Sequence, residues 1–358
     1  MNQPLPQDII IYNKLTSPRI WFIIILVLLI FLLIKTDKVT IGQNNIIDKN
    51  QKNTNISHHE SIKNLNLIIN SWQIYASPID TRQTRSQNIS SLGKNISIRM
   101  YNITDQNIIQ KLKQLASDHN ISIIYETKKF WEKKPTEDYI RLTNSLKSAG
   151  INIYTDDQMW VNFTHAKTTV GENWYIVQTM NWTKSSFDKN REFVFLGTNI
   201  DIKNSLTYIF AKDLSGQQIK VSDIHPNLLI CPIDCRSKLE YMIQSATSSI
   251  YIYNQYIDDP SIINLLKQKI SRNIDTKIIL AKWPKDQQNI NNFGDNFKSQ
   301  SNPYPHAKVL LIDHKYLIIT SINFSTNSMD NNREIWIITM DKSAISKFED
   351  IFYQDWQK

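Results

Sequence analysis

From about Ser71 onward the apolar positions follow two alternating periods. Short β-rich runs predict strands over Trp72–Ser77, Ile96–Tyr101 and Ile121–Tyr125, and a 3.6-residue apolar spacing predicts an amphipathic helix over Gln106–Ser117. The same alternation returns later, with strands over Leu228–Cys231, Ile250–Tyr253 and Lys277–Ala281 and helices over Ser237–Ser248 and Ser261–Ser271. Strands separated by helices of this length predict an α/β fold, with mixed, largely parallel sheets and helices on both faces.

The first 70 residues differ. Ile20 to Ile34 is an unbroken apolar run between Arg19 and Lys35. Although short, it suits a helix crossing a bilayer, with Trp21 at the interface and both basic side chains snorkelling. A cleaved signal peptide is disfavoured because Lys35-Thr36-Asp37-Lys38 stands where small residues are wanted. A buried helix is disfavoured because a polar stretch isolates the run. The expected order is therefore an N-terminal tail (1–19), a single-pass membrane anchor (20–34), a polar tether (35–70), a first lobe (71–215) and a second lobe (225–358). Lysines and arginines flank the run on both sides, which leaves open the side of the membrane that bears the lobes.

Two lobes are expected because the chain repeats itself. After His165 come Lys167, Thr179-Met180-Asn181 and Asp188-Lys189-Asn190-Arg191-Glu192; after His306 come Lys308, Asp313, Thr320-Ser321-Ile322-Asn323 and Asp330-Asn331-Asn332-Arg333-Glu334. The spacing from Asn to Glu is the same in both. The one-residue difference between Lys and Asn falls at Gly171-Glu172-Asn173 and Asp313-His314-Lys315, where a hairpin turn is expected. Upstream, Ser77-Pro78-Ile79-Asp80-Thr81-Arg82 matches Cys231-Pro232-Ile233-Asp234-Cys235-Arg236, and downstream Phe210 and Asp213 fall in register with Phe352 and Asp355. Such a repeat implies similar lobes that share one site within a single chain.

The repeated residues define a chemistry. Positions two apart on a strand face the same way, so His165 and Lys167, like His306 and Lys308, are expected to reach one ligand. Two His, two Lys and two Asn (Asn181 and Asn323), with no Cys or carboxylate cluster spaced for a metal, suit attack at phosphorus with no metal and no other cofactor. The substrate class is a phosphodiester. One imidazole must be neutral to attack and the other protonated to release the leaving alkoxide. Glu192 and Glu334 are the carboxylates expected to orient them, against the alternative of surface salt bridges with the adjacent arginines.

Composition adds less. A net charge of +8 and a pI near 9.2 favour anionic partners without choosing among phospholipid surfaces, nucleic acid and phosphorylated metabolites. The two cysteines, Cys231 and Cys235, are too few for a disulfide framework and read as small side chains at a strand-to-helix turn.

The paired motif resembles the phospholipase D superfamily, whose signature is His-x-Lys, four residues, Asp, then six residues and Gly-Ser-x-Asn. The second copy fits with His306, Lys308, Asp313, Ser321 and Asn323 in place. The first keeps His165, Lys167 and Asn181, offers Gly171 or Glu172 for the Asp, and has Met180 in place of Ser. The resemblance implies two lobes related by a pseudo-two-fold axis and a phosphohistidine intermediate. It also implies that His165 is the nucleophile and His306 the general acid and base, with Asn181, Asn323 and Ser321 as phosphate contacts and Asp313 structural.

The superfamily acts on phospholipids and on nucleic acids, so fold does not select the substrate. Lys128-Lys129-Phe130-Trp131-Glu132-Lys133-Lys134 and Lys282-Trp283-Pro284-Lys285 interleave bases with aromatics and are expected to rim the site. The anchor tips the expectation towards a phospholipid membrane as partner and phospholipid hydrolysis or phosphatidyl transfer as activity. A membrane-tethered nuclease and an inert phosphate-binding module are the alternatives.

Overall fold

The computed structural model describes residues 73–80, 89–126, 134–155, 159, 161, 163–282 and 286–358. The anchor, the tether and both basic-aromatic segments, apart from Lys134 and Lys282, lie outside the described residues. Among the described residues no helix is long and apolar enough to cross a membrane.

The first lobe runs β1 (Gln73–Ser77), β2 (Asn95–Met100), α1 (Gln106–Leu115), β3 (Asn120–Tyr125), α2 (Glu137–Ser148), β4 (Asn152–Thr155), β5 (Phe163–Thr164), β6 (Thr168–Val170), β7 (Tyr175–Gln178), α3 (Lys184–Asp188), β8 (Asn190–Gly197) and α4 (Ile200–Leu214). The second lobe runs β9 (Leu228–Cys231), α5 (Cys235–Ser245), β10 (Ser249–Asn254), α6 (Pro260–Ser271), β11 (Asp275–Ala281), α7 (Asp286–Phe293), β12 (Phe297–Gln300), β13 (Tyr304–Pro305), β14 (Val309–Ile312), β15 (Tyr316–Thr320), α8 (Thr326–Asp330), β16 (Asn332–Thr339) and α9 (Lys342–Trp356). Asp105 and Asp259 cap α1 and α6 in the same way, each carboxylate accepting from two first-turn amides.

The sheets order as β1-β8-β7-β6-β2-β3-β4 and β9-β16-β15-β14-β10-β11-β12, so the repeat in sequence is a repeat in topology. Both sheets are mixed, but within each lobe only β2-β3-β4 and β10-β11-β12 run parallel. The expectation of largely parallel sheets is corrected. The tight hairpins that carry the motifs, and the first strand of each lobe, impose antiparallel pairing on the rest.

Each lobe has an outer apolar core between its sheet and its helices, built on residues such as Leu112 and Ile123 in one and Leu266 and Leu280 in the other. A third core is shared. It contains Phe193 and Phe195 from β8, Tyr253 from β10, Ile335 and Ile337 from β16, and the inner faces of α4 and α9. Burying these side chains fuses the lobes through the hydrophobic effect.

The lobes also exchange backbone. β5 pairs in parallel with β16 of the other lobe, and β13 pairs in parallel with β8. Two buried ion pairs cross with them. Arg191 donates to Asp355 through Nε (2.7 Å) and Nη2 (3.1 Å), and Arg333 donates to Asp213 through Nε (3.1 Å) and Nη2 (2.8 Å). Asp213 and Asp355, recognisable in sequence only as matched positions, are thus the carboxylates that the motif arginines meet.

Asp313 sits in the turn between β14 and β15. Its carboxylate accepts from the backbone amides of Thr247, Ser248 and Ser249, fastening the β14–β15 turn to the start of β10. In the first lobe Glu172 takes over, accepting from the Lys94 amide and the Asn95 side chain. Gly171 lets the shorter turn approach, because a Cβ there would lie 2.3 Å from the Leu92 carbonyl oxygen.

Cys231 and Cys235 form a disulfide joining the end of β9 to the start of α5. Their expected location holds, but the reading of them as two separate small side chains is corrected. The turn brings their Cα atoms to 5.1 Å, within disulfide reach.

Removing one partner of a buried ion pair leaves the other charge stranded. Asp213→Ala strands both Arg99 and Arg333. It is expected to cost about 3–5 kcal/mol of unfolding free energy, read as a lower urea midpoint with little change in slope. A midpoint equal to that of the parent protein would contradict this account of the interface.

Candidate active site

His165-Ala166-Lys167 and His306-Ala307-Lys308 occupy the links between β5 and β6 and between β13 and β14. They are not within strands, as the sequence suggested. Alternation nevertheless survives: Ala166 and Ala307 are fully buried in the shared core, while His165 and His306 line one cleft. The His165 and Ala166 amides donate to the Arg333 carbonyl (3.0 and 2.9 Å), and the His306 amide donates to the Arg191 carbonyl (3.2 Å). Each histidine is therefore held by the last strand of the opposite lobe.

The side chains repeat that exchange. His165 Nδ1 lies 2.9 Å from Glu334 Oε1, and His306 Nδ1 lies 2.7 Å from Glu192 Oε1. Both glutamates are fully buried. The salt-bridge alternative fails because Arg191 and Arg333 bond to aspartates. A carboxylate facing Nδ1 favours the Nδ1–H tautomer and leaves the Nε2 lone pair for the cleft.

The second glutamate oxygen is also engaged. Thr179 Oγ1 donates to Glu192 Oε2 at 2.6 Å, and Ser321 Oγ donates to Glu334 Oε2. This corrects two readings. Counted back from the motif asparagines, Thr179 stands where Ser321 stands, so Met180 matches Ile322 and the first copy retains its hydroxyl. Ser321, expected to contact phosphate, instead holds Glu334 from behind and is fully buried. Correct alignment on the asparagines would have revealed the first point; the second required coordinates.

Lys167 and Lys308 are buried, with their Nζ atoms donating to the carbonyls of His165 (2.5 Å) and His306 (2.6 Å). Asn181 and Asn323 are nearly buried, and neither amide oxygen has a protein partner. A phosphate oxygen would have to accept from the NH2 group of each amide, since an amide oxygen only accepts.

Burial dominates the electrostatics. It pulls the His165 imidazole down to about 4, a shift opposed by Glu334 and reinforced by Lys167 and Lys308. His306 is also lowered by burial, against the pull of Glu192. Lys167 falls to about 7 and Lys308 to about 8, again chiefly through burial. For Glu192, burial alone would raise the carboxyl, but His306, Lys308 and Thr179 outweigh it and hold the group at about 2. Glu334 is lowered by the corresponding neighbours against the same burial effect.

The cleft has a volume of about 960 Å³. Tyr101, Phe163 and His165 line it from the first lobe, and His306, Asn323, Gln255, Tyr256 and Asn289 are among those lining it from the second. Among the described lining residues there is no Lys or Arg, and Asp258 is the one carboxylate. Two imidazoles backed by carboxylates, two buried ammonium groups and two amides can neutralise a phosphoryl group while moving one proton.

Comparison with known proteins agrees with this constellation. The family described as "Cardiolipin synthase, PLD-like domain" matches residues 86–214 and 239–356. "Cardiolipin synthase 1" from two strains of Staphylococcus epidermidis is 26% identical over 125 residues, 32% of this chain. The match covers 26% of the length of those curated relatives. Among solved structures, phosphatidylserine synthase from Haemophilus influenzae Rd KW20 superposes with a TM-score of 0.64 at 11% identity, over 83% of this chain and 89% of that one. Polyphosphate kinase from Porphyromonas gingivalis gives 0.60 at 16% identity, over 79% of this chain and 50% of that one. These two likenesses concern the fold alone. With both copies of the repeat matched by the family and both motifs facing one cleft, the chain belongs to the phospholipase D superfamily.

Proposed function

We propose that the protein is a membrane-anchored phosphodiesterase that acts on phospholipids, by hydrolysis or phosphatidyl transfer, through a phosphohistidine. The observation carrying this reading is the reciprocal pairing of His165 with Glu334 and His306 with Glu192 around one cleft. Similarity to the family described as "Cardiolipin synthase, PLD-like domain" supports lipid over nucleic acid. The apolar run at Ile20–Ile34 supports anchoring.

His165, which burial pulls down to about 4 and so keeps neutral, is the nucleophile. Its Nε2 bonds to phosphorus as the bond to the headgroup oxygen breaks, and the His306 proton passes to the departing alkoxide. Charge spreading onto the nonbridging oxygens meets Lys167, Lys308 and the Asn181 and Asn323 amides. Water or an alcohol then gives its proton to His306 and attacks phosphorus, and the P–N electron pair returns to His165. Glu334 stabilises the charge on His165 while the intermediate lasts, and Glu192 steadies His306 through both proton transfers.

The full chain, offered phospholipid vesicles and single-stranded DNA with a metal chelator present, is expected to release headgroup and leave the DNA intact. His165→Ala should abolish release. Cleaved DNA beside untouched lipid would instead establish the nuclease that the charge of +8 also suits. The trapped intermediate should be labile to acid, as phosphorus bonded to nitrogen is, and absent from His165→Ala.

A pH profile tests the proton assignments. His165 becomes a competent base above about 4. His306, lowered from its ordinary 6.5, loses its proton as pH rises, and Lys167 follows near 7. kcat/KM should therefore peak on the acid side of 6.5 and fall above it, because it reports the free enzyme. A plateau extending beyond the Lys308 value of about 8 would refute this assignment.

A further inference from the structure

The repeats diverge beside the cleft, at four positions of which Tyr101, Phe163 and Gln255 line it. Tyr101 immediately follows β2, and Gln255 occupies the matching place after β10. Phe163 opens β5 two residues before His165, and Tyr304 opens β13 two residues before His306. In the first lobe these positions form an aromatic wall. Tyr101 meets His165 edge-on at 5.1 Å and Phe163 at 5.2 Å, Phe163 stacks on His165 at 6.3 Å, and Lys167 Nζ lies 5.5 Å from the Tyr101 ring centre. In the second lobe they form a polar pair instead, with Gln255 Nε2 donating to Tyr304 Oη at 3.0 Å.

In-line displacement gives the two sides different occupants. The group retained on phosphorus stays attached to His165 through both half-reactions. The space beside His306 receives first the departing headgroup and then the incoming water or alcohol, each needing hydrogen bonds. An apolar wall suits the first task and an amide–phenol pair the second.

Resting on the phospholipase reading, we infer that Tyr101 and Phe163 seat the retained diacylglyceryl group against His165, while Gln255 and Tyr304 form the subsite that receives the headgroup and its replacement beside His306. The four positions thereby set the direction of the reaction through a nearly symmetric cleft. Tyr101 and Phe163 act by apolar contact, Gln255 and Tyr304 by hydrogen bonding.

The test uses the full chain with three substrate sets: lipids sharing acyl chains but differing in headgroup, a short-chain analogue of one of them, and bis(p-nitrophenyl) phosphate. Tyr101→Gln should reduce the preference for the long-chain lipid over its short-chain analogue about tenfold, mainly through KM. Tyr101→Phe should restore it. Gln255→Leu should change the ranking of headgroups and leave the acyl-chain preference in place. Thermal unfolding of each variant separates these effects from a failure to fold. Unaltered acyl-chain preference in folded Tyr101→Gln, or an unaltered headgroup ranking in folded Gln255→Leu, overturns the inference. Wild-type protein that cleaves the aryl diester and no lipid overturns the phospholipase reading itself. In either case mass spectrometry of the quenched aryl-diester intermediate should find phosphorus on His165, and finding it on His306 reverses the assigned direction.

Discussion

The structure depends on one reciprocal constraint: the strand that ends each repeat holds the histidine of the other. β16 supplies the carbonyl that receives the His165 and Ala166 amides and the carboxylate that faces the His165 ring, and β8 does the same for the His306 amide and ring. The adjacent arginines carry the grip deeper, crossing to Asp213 and Asp355 on the inner helices α4 and α9. Buried charges are costly when isolated, so each side chain in this lattice depends on its neighbours.

That arrangement places two chemically similar histidines in different surroundings. Both are desolvated and both face a carboxylate, but His165 is also packed against Tyr101 and Phe163. Lys167 and Lys308 are buried and are not among the described residues lining the cleft, so their charge acts through protein rather than water. An arriving phosphodiester anion adds to the negative charge that Glu192 and Glu334 already present to these depressed ammonium groups.

Much of this was legible in the amino-acid order because duplication writes the same constraint twice. His, Lys, Asn and Glu recur at matched intervals, and even Asp213 and Asp355 stood out as matched positions before their partners were known. The direction of the exchange was not legible, since a carboxylate next to an arginine looks the same whether it serves its own lobe or the other. The roles of Thr179 and Ser321 were missed for a related reason: a hydroxyl near a catalytic motif suggests substrate, and only coordinates show it turned towards a glutamate. The strand directions were misjudged because helix and strand lengths do not distinguish a crossover from a hairpin. The disulfide escaped notice because its residues replace Ser77 and Thr81, which form no such bond.

Joining both copies in one polypeptide removes an evolutionary restriction. In an assembly of two identical subunits, every substitution near the axis appears on both sides, so a surface improved for one ligand is duplicated where another must bind. Covalent fusion lets each half accumulate its own changes. Gln255 opposite Tyr101 is a difference that a homodimer could not have encoded.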